Sequence, residues 1–462
     1  MQRKKTKILA VFVAIVLTTV LPLGGCKHSG EETSNEINNE TGKKDDDNAM
    51  IEATADDIGQ KIRTMTNSGT IKVTGQFPEY AFNYIKSALD ELQRVYPDVF
   101  VILDLSEVEN LNSVPDYAFD YFHVGNGWTC KNLIGISLPS TVTSIGRHAF
   151  CETGVTNIEI PSTVVNIGEC AFYGCPLKSI KLPSSVTSIE RGAFMLCDEL
   201  ISIELPSSIT SIGESAFADC ISLESIMLPD SVISIESNSF RYCTLLKSVK
   251  IPKSVISIGD HAFYRCDSLT SIEIPSSVSS IGKYAFGECT TLETVTISSD
   301  SKLTSIEEGA FWYCEQLSNI KIPSSVIEIG DMAFEKTLLK NIEIPGSVKN
   351  IGRFIFRYCY DLTSIKVQPG ITSIGTYSFA YCNAVEYIDI PSTVTSIGLG
   401  AFYQCESLKS VKFEDKSTWY ATSDPNDTKT NDIFNWNDDS EENARKLKED
   451  YVDKYLYSEN YN

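Results

Sequence analysis

Basic residues are in short supply: 39 Lys and Arg stand against 61 Asp and Glu, for a formal net charge of −22 over 462 residues. A polyanion-binding face needs concentrated positive charge, so nucleic acid is excluded as a partner. Histidine is scarcer still, with four residues. His28 stands near the N-terminus, while His148 and His261 each precede a recurring Phe by two residues, a position expected to be exposed. No glycine-rich phosphate loop, nucleophile elbow or CxxC pair occurs, so spacing points to no catalytic, cofactor-binding or metal residues and to no small-molecule substrate. The expectation is a protein that is not an enzyme and carries no cofactor. Asp424-x-Asn426-x-Thr428 lacks the glycine and closing glutamate of a calcium loop, which leaves an ordinary polar loop.

Long apolar runs are missing except at the start of the chain. Arg3, Lys4, Lys5 and Lys7 form a basic segment, Ile8 to Leu21 is apolar, and Leu23-Gly24-Gly25-Cys26 closes it with small residues. The arrangement reads as an export signal over residues 1–26. Residues 27–53 are rich in Glu, Asn, Asp and Lys and cannot bury a core, so a disordered acidic tether is expected there. Such a tether spans roughly 30 Å root-mean-square.

What the chain has in abundance is repetition. Phe150, Phe172, Phe194, Phe217, Phe240, Phe263, Phe286, Phe311, Phe334, Phe356, Phe379 and Phe402 are separated by 22 or 23 residues, with one step of 25. The two extra residues fall in Ser298–Lys302. A fixed period in the range of roughly 20–50 residues is the signature of a stacked solenoid. Each copy reads Leu-x-x-Ile-x-Ile-Pro-Ser-Ser-Val-x-x-Ile-Gly-x-x-Ala-Phe, as in Leu269–Phe286. Leu-x-x-Ile-x-Ile predicts a strand with Leu and Ile inward, Pro ends it, Ser-Ser-Val-x-x-Ile-Gly turns the chain, and Ala-Phe returns an apolar anchor to the core. One copy cannot offset its own ordering entropy, so stacking is obligatory.

Upstream, Thr54 is expected to N-cap a short helix with Ile58, Ile62 and Met65 on one face. Thr70–Gln76 reads as a strand. Pro78 opens a second helix with Ala81, Ile85, Ala88, Leu89 and Leu92 inward, Val99–Leu105 is a strand, and Val114-Pro-Asp-Tyr-Ala-Phe119 is a degenerate first copy. Residues 54–119 are thus expected to form a β-α-β N-terminal cap, 120–413 the solenoid and 414–462 a C-terminal cap. In the last, Trp419, Tyr420, Phe434 and Trp436 lie in a polar loop, followed by a helix capped by Ser440 with Ala444, Leu447 and Tyr451 inward and by Tyr455-Leu-Tyr457. The fold class is an α/β-type repeat solenoid.

These copies, with Cys three residues after most Phe anchors, resemble the BspA-type leucine-rich repeat proteins of bacterial surfaces. The resemblance covers about Val99 to Phe413. Departures are Thr153 and Thr337 in the Cys column and Ser298 and Gln368 in the Pro column. It implies a leucine-rich repeat surface protein that binds extracellular or host proteins, mediating adhesion to host matrix, host cells or other bacteria. A structural or self-associating envelope protein is the alternative. Leu23-Gly24-Gly25-Cys26 likewise resembles a bacterial lipobox, which implies lipidation of Cys26 and anchoring in the envelope, at the outer membrane or cell surface.

Three columns remain. Cys175, Cys197, Cys220, Cys243, Cys266, Cys289, Cys314, Cys359, Cys382 and Cys405 are expected to form an inward ladder, with disulfides or metal as less favoured readings. Cys130, Cys151 and Cys170 stand off that column, and Cys151 with Cys170, on adjacent copies, could pair. Between the two Ile of successive strands stand Glu159, Lys181, Glu204, Lys250, Glu273, Lys321, Glu343, Lys366, Asp389 and Lys412, successive charges always opposite. A structural charge ladder is expected, since like charges facing one another destabilise a sheet. After the Phe anchors come Tyr173, Arg241, Tyr242, Tyr264, Arg265, Trp312, Tyr313, Arg357, Tyr358, Tyr381 and Tyr403. These types are enriched at interface hot spots, so the stripe is a candidate protein-binding edge; packing over the neighbouring copy is the competing reading.

Overall fold

The structure, a computed structural model, describes residues 50–120, 130–415, 418–422, 432–435, 440–450 and 453–458. Cys26, the signal segment, nearly all of the acidic tether, the Asp424–Thr428 stretch, Trp436 and Tyr451 lie outside the described residues.

The repeat is a β-solenoid, with strands from successive turns pairing parallel and in register. Ser188, Ser211, Ser234, Ser257 and Ser280 are aligned, each 23 residues from the next. The α/β-type expectation is corrected here: no helix lies among the described residues of 130–415. Leu-x-x-Ile-x-Ile forms the first sheet wall, a row of short parallel-paired segments, as in Ser271–Ile274 beside Thr294–Ile297. The segment expected only to turn the chain supplies a second sheet, because its Ser-Ile dipeptide lines up with the dipeptide of the next copy, as at Ile258 and Ile281. A β-branched residue in a repeated register finds ladder partners on both sides, and that outweighs the shortness of the strand.

The third wall carries the Phe anchors and is neither strand nor helix. His148, Phe150 and Glu152 donate their N–H groups to the carbonyls of Glu169, Ala171 and Tyr173 on the next turn, at 2.9, 2.8 and 2.7 Å. Left-handed residues stand two before and two after the Phe, for example His261 (φ 54°) and Arg265 (φ 58°) around Phe263. These alternations stop successive turns of chain from winding into a helix, which is why a wall that could have been helical stays flat. Gly309 occupies the same left-handed position (φ 61°), and a Cβ there would meet the Tyr284 ring.

Inside, the anchors form a continuous stack. From Phe150 to Phe402 every ring is essentially inaccessible to solvent. Neighbours such as Phe263 and Phe286 lie 5.2 Å apart with planes within 4°, an offset stack. The Cys column lies beside it. Cys266 Sγ–H donates to the Phe240 carbonyl at 3.3 Å, Cys289 to Phe263 at 3.1 Å, and Cys314 to Phe286 at 3.0 Å. The thiol is thus a small donor that supplies a second hydrogen bond to a buried carbonyl already bonded to a backbone N–H. Thr153 and Thr337 fill the gaps in the column with hydroxyls that bond Phe150 O at 2.8 Å and Phe334 O at 3.0 Å. All described cysteines are free thiols. The Ser two residues after the recurring Pro is explained in the same way: its hydroxyl, at Ser254 and Ser277, bonds the Val carbonyl of the preceding turn at 2.5 and 2.6 Å.

Upstream of the copies the chain runs β1 (Met50–Ala53), α1 (Ile58–Arg63), β2 (Gly69–Gln76), α2 (Ala81–Val95) and β3 (Val101–Glu109). The three strands pair parallel and continue into Leu133–Ser137 of the solenoid. The expected tether overran: Met50–Ala53 is a strand, because β2 offers it a free edge. Thr54 is not the helix cap. Its N–H and hydroxyl both donate to the Asp57 carboxylate, at 2.7 and 3.0 Å, and the helix begins one residue later. Pro78 sits in the turn before α2, whose expected apolar residues are all buried. Phe82 of α2 meets Phe119 edge-on at 5.6 Å, and Phe119 begins the ring stack on Phe150.

Downstream, the expected helical unit is largely strand. Thr418–Thr422, Asp432–Asn435 and Tyr455–Ser458 join the second sheet antiparallel, beyond Ser396–Ile397. Among the described residues there, only α3 (Ser440–Arg445) and one wider turn (Lys446–Asp450) are helical. Ala444 and Leu447 are buried as expected, and buried Trp419 lies 5.7 Å from Phe413.

Candidate protein-binding edge

The candidate stripe sits on the third wall, immediately outside the Phe stack. Tyr173, Arg241, Tyr264, Trp312, Arg357 and Tyr403 directly follow their anchors. Tyr242, Arg265, Tyr313, Tyr358 and Tyr381 take the left-handed position one residue further on. The alternation of backbone hand turns the two residues to neighbouring places on the surface. All eleven are half-buried, so each presents part of its side chain to solvent.

Two groups form along the wall. In the first, Tyr242 meets Tyr264 edge-on at 5.8 Å, with the Arg241 and Arg265 guanidinium carbons 4.8 and 5.6 Å from the Tyr242 ring centre. Glu288 accepts a short hydrogen bond from the Tyr264 hydroxyl and lies 3.3 Å from Arg265. Burial and this carboxylate push the Tyr264 phenol well above its ordinary range. Trp312 packs on Tyr313 at 4.1 Å. In the second group, Tyr358 stacks on Tyr381 at 4.7 Å, Tyr381 meets Tyr403 at 5.4 Å, and Arg357 covers Tyr358 at 5.1 Å. Arg357 also clamps the Glu335 carboxylate, which is 1% exposed, at 2.6 and 2.9 Å. Burial raises the Glu335 pKa, against the pull of that guanidinium. Tyr173 stands apart from both groups.

The stripe therefore packs on itself and still leaves part of each side chain exposed. Sequence reasoning missed a second contributing column two residues before the Phe. Tyr284 lies 5.9 Å from Trp312, His261 5.5 Å from Tyr264, and Tyr377 6.1 Å from Tyr403. The same period marks these positions, so spacing could have found them. His148 and His261, expected to be exposed, are half-buried because their rings stack on Tyr117 at 5.3 Å and Tyr284 at 5.4 Å.

The charge column is aligned by the register of the first sheet, with Lys181 opposite Glu204, Glu343 opposite Lys366 and Asp389 opposite Lys412. Ion pairs close at Lys181–Glu204 (3.0 Å) and Lys366–Glu343 (3.1 Å), all four side chains more than half exposed. Glu159, Lys250, Glu273, Lys321, Asp389 and Lys412 form none among the described residues. A second column, unnoticed in the sequence, pairs Lys247 with Glu224 at 2.8 Å and Lys409 with Glu386 at 2.9 Å.

The sequence profile of the BspA type leucine rich repeat region matches residues 126–247, 210–337 and 304–423. Among solved structures, the chain is similar to a leucine-rich repeat protein from Bacteroides ovatus ATCC 8483, with 27% identity, 74% of this chain and 88% of that one covered, and a TM-score of 0.56. It is also similar to a leucine rich cell surface protein from Faecalibacterium prausnitzii A2-165, with 32% identity over 60% of this chain and 84% of that one and a TM-score of 0.40. No curated protein sequence matches the chain.

Proposed function

Because the chain belongs to the BspA type leucine-rich repeat family, we propose that it is a surface-displayed protein-binding solenoid whose ligand docks on the Tyr/Trp/Arg wall. In this reading Cys26 carries the lipid anchor, residues 27–49 hold the solenoid off the membrane, and the units at either end close the stack. The ligand is an extracellular protein, of host matrix, a host cell or another bacterium. The charge column serves stacking and leaves the first sheet close to neutral.

One observation carries the reading. Tyr173 aside, the wall's aromatic and Arg side chains are preordered by ring and cation–π contacts yet remain partly exposed, so little rotamer entropy is left to lose on binding. Interfaces concentrate their energy in such anchors.

The test pairs protease shaving of intact cells with binding of the purified chain to immobilised matrix proteins. Trp312→Ala, Tyr313→Ala and Tyr358→Ala together are expected to weaken binding by roughly two orders of magnitude or more, the scale of two or three hot-spot residues. Alanine occurs naturally in the Trp312 column, at Ala218 and Ala380, and the left-handed column of Tyr313 and Tyr358 holds Leu196 and Gln404 elsewhere, so neither column needs an aromatic ring and the fold should survive. Undiminished binding by a folded triple variant would overturn the reading. Protection of the chain from protease on intact cells, or binding only to further copies of itself, would replace it with a self-associating envelope role.

A further inference from the structure

The two side-chain columns that flank the Phe anchors bring three metal-ligating side chains together at one place in the stack. Two residues before the anchor, later turns carry Gly192, Ser215, Asn238, His261 and Tyr284, while the first complete copies carry His148 and then Cys170. One residue after the anchor, Asp120 and Cys151 stand on successive turns where Tyr173, Met195 and Ala218 follow. Stacking gathers these departures. One donor atom from each of Asp120, His148 and Cys151 lies within 4.8 Å of the other two, and His148 Nδ1 is 3.5 Å from Asp120 Oδ2. Asp120 is 3% exposed and Cys151 3%, while His148 is half-buried with its ring stacked on Tyr117.

From this juxtaposition we propose that Asp120, His148 and Cys151 form a zinc-type divalent-metal site, with three protein ligands and a fourth position open. A carboxylate, an imidazole and a thiolate are the donor set of a borderline-soft cation. Tetrahedral zinc with bonds of about 2.0–2.3 Å separates its ligand atoms by roughly 3.3–3.8 Å. The His148–Asp120 pair already has that spacing, and the widest pair must close by only about 1 Å to reach it. Binding replaces the S–H bond with an S–metal bond and releases one proton to solvent. Two adjacent negative ligands are then neutralised by one dication. Cys170, on the turn after His148, interacts electrostatically with both Asp120 and Cys151.

Two substitutions test the site without damaging the stack. Ala218 is buried in the Cys151 column, so Cys151→Ala is sterically tolerated there. Phe354 occupies the His148 column in the left-handed conformation and stacks on Tyr377 at 5.7 Å, so His148→Phe keeps the ring contact. The full chain, purified under reducing conditions, is titrated with Co2+ and then with Zn2+. The expected result is one equivalent of cobalt with a thiolate-to-metal charge-transfer band, displaced by zinc. The band is lost in Cys151→Ala, and zinc affinity falls by about 10–100-fold or more in His148→Phe, at least the scale of outer-shell losses. Cys314→Ala, in the buried ladder, should leave both unchanged. A band that persists in Cys151→Ala, binding only at the level of a surface carboxylate, or a Cys151–Cys170 disulfide in protein isolated without reductant would each overturn the proposal.

Discussion

Truncating Phe286 to Ala removes one ring from the middle of the stack. That ring is fully buried and lies 5.2 Å from Phe263 and 5.5 Å from Phe311, with interplanar angles of 4° and 3°. A buried Phe→Ala change costs about 3–5 kcal/mol in transfer and cavity terms. Of this, the two ring pairs hold roughly 0.5–1.5 kcal/mol each. A stack has only nearest-neighbour terms, so the coupling is local. In urea unfolding followed by circular dichroism, Phe286→Ala and Phe311→Ala combined should deviate from additivity by about 0.5–1.5 kcal/mol. Phe286→Ala combined with Phe194→Ala, several turns away, should be additive to within about 0.5 kcal/mol. A cost below about 1 kcal/mol for the single variant, or equal coupling for near and distant pairs, would refute the reasoning. Splitting of the transition in Phe286→Ala would locate the break between the two halves of the stack.

Lys321→Glu places a second carboxylate beside Glu343, whose pKa is held down by Lys366, Gln368 and, more weakly, Lys321; it should lower the melting temperature more than Lys302→Glu in the Ser298–Lys302 loop, and equal effects would argue against a structural charge column. His261 has its pKa lowered chiefly by burial, so the unfolded chain takes up the proton first and the fold loses stability as pH falls below about 6.5. His261→Tyr, copying Tyr284, should therefore lose less stability than the parent between pH 7.5 and pH 5 in thermal melts, and identical slopes would contradict this. Ending the chain after Phe413 strips Trp419, Ala444 and Leu447 from the last turn; light scattering should show association, whereas a monomer with an unchanged melting curve would mean that the terminal unit closes nothing.

How far the residues disclosed the structure depended on whether a feature repeats. The Phe, Cys and Ile columns recur at one period, and stacking converts that period directly into contacts. The Thr153 and Thr337 substitutions mark the Cys column as a small buried polar group, and its role as donor to the Phe carbonyls follows from the stacking. What the pattern concealed was conformation. Nothing in Tyr242 or His261 announces positive φ, because hydrogen bonds between turns impose it against local preference. The second sheet was hidden for the same reason, since two residues make no strand alone. The Asp120–His148–Cys151 group was invisible because Asp120 and His148 are 28 positions apart and meet only through stacking. On the wall, the period disclosed the eleven residues, but not that Glu288 and Glu335 would hold Tyr264 and Arg357 in place.

The buried thiols give unfolding a direction. While the solenoid is closed, the ten column cysteines are shielded from oxidants, and their pKa values are raised by burial, so thiolate is scarce. Any opening in an oxidising medium exposes many thiols at spacings that suit no native pairing, and the first wrong disulfide blocks the register from re-forming. The fold would then behave as a ratchet, lasting as long as it avoids opening rather than as long as it can reclose.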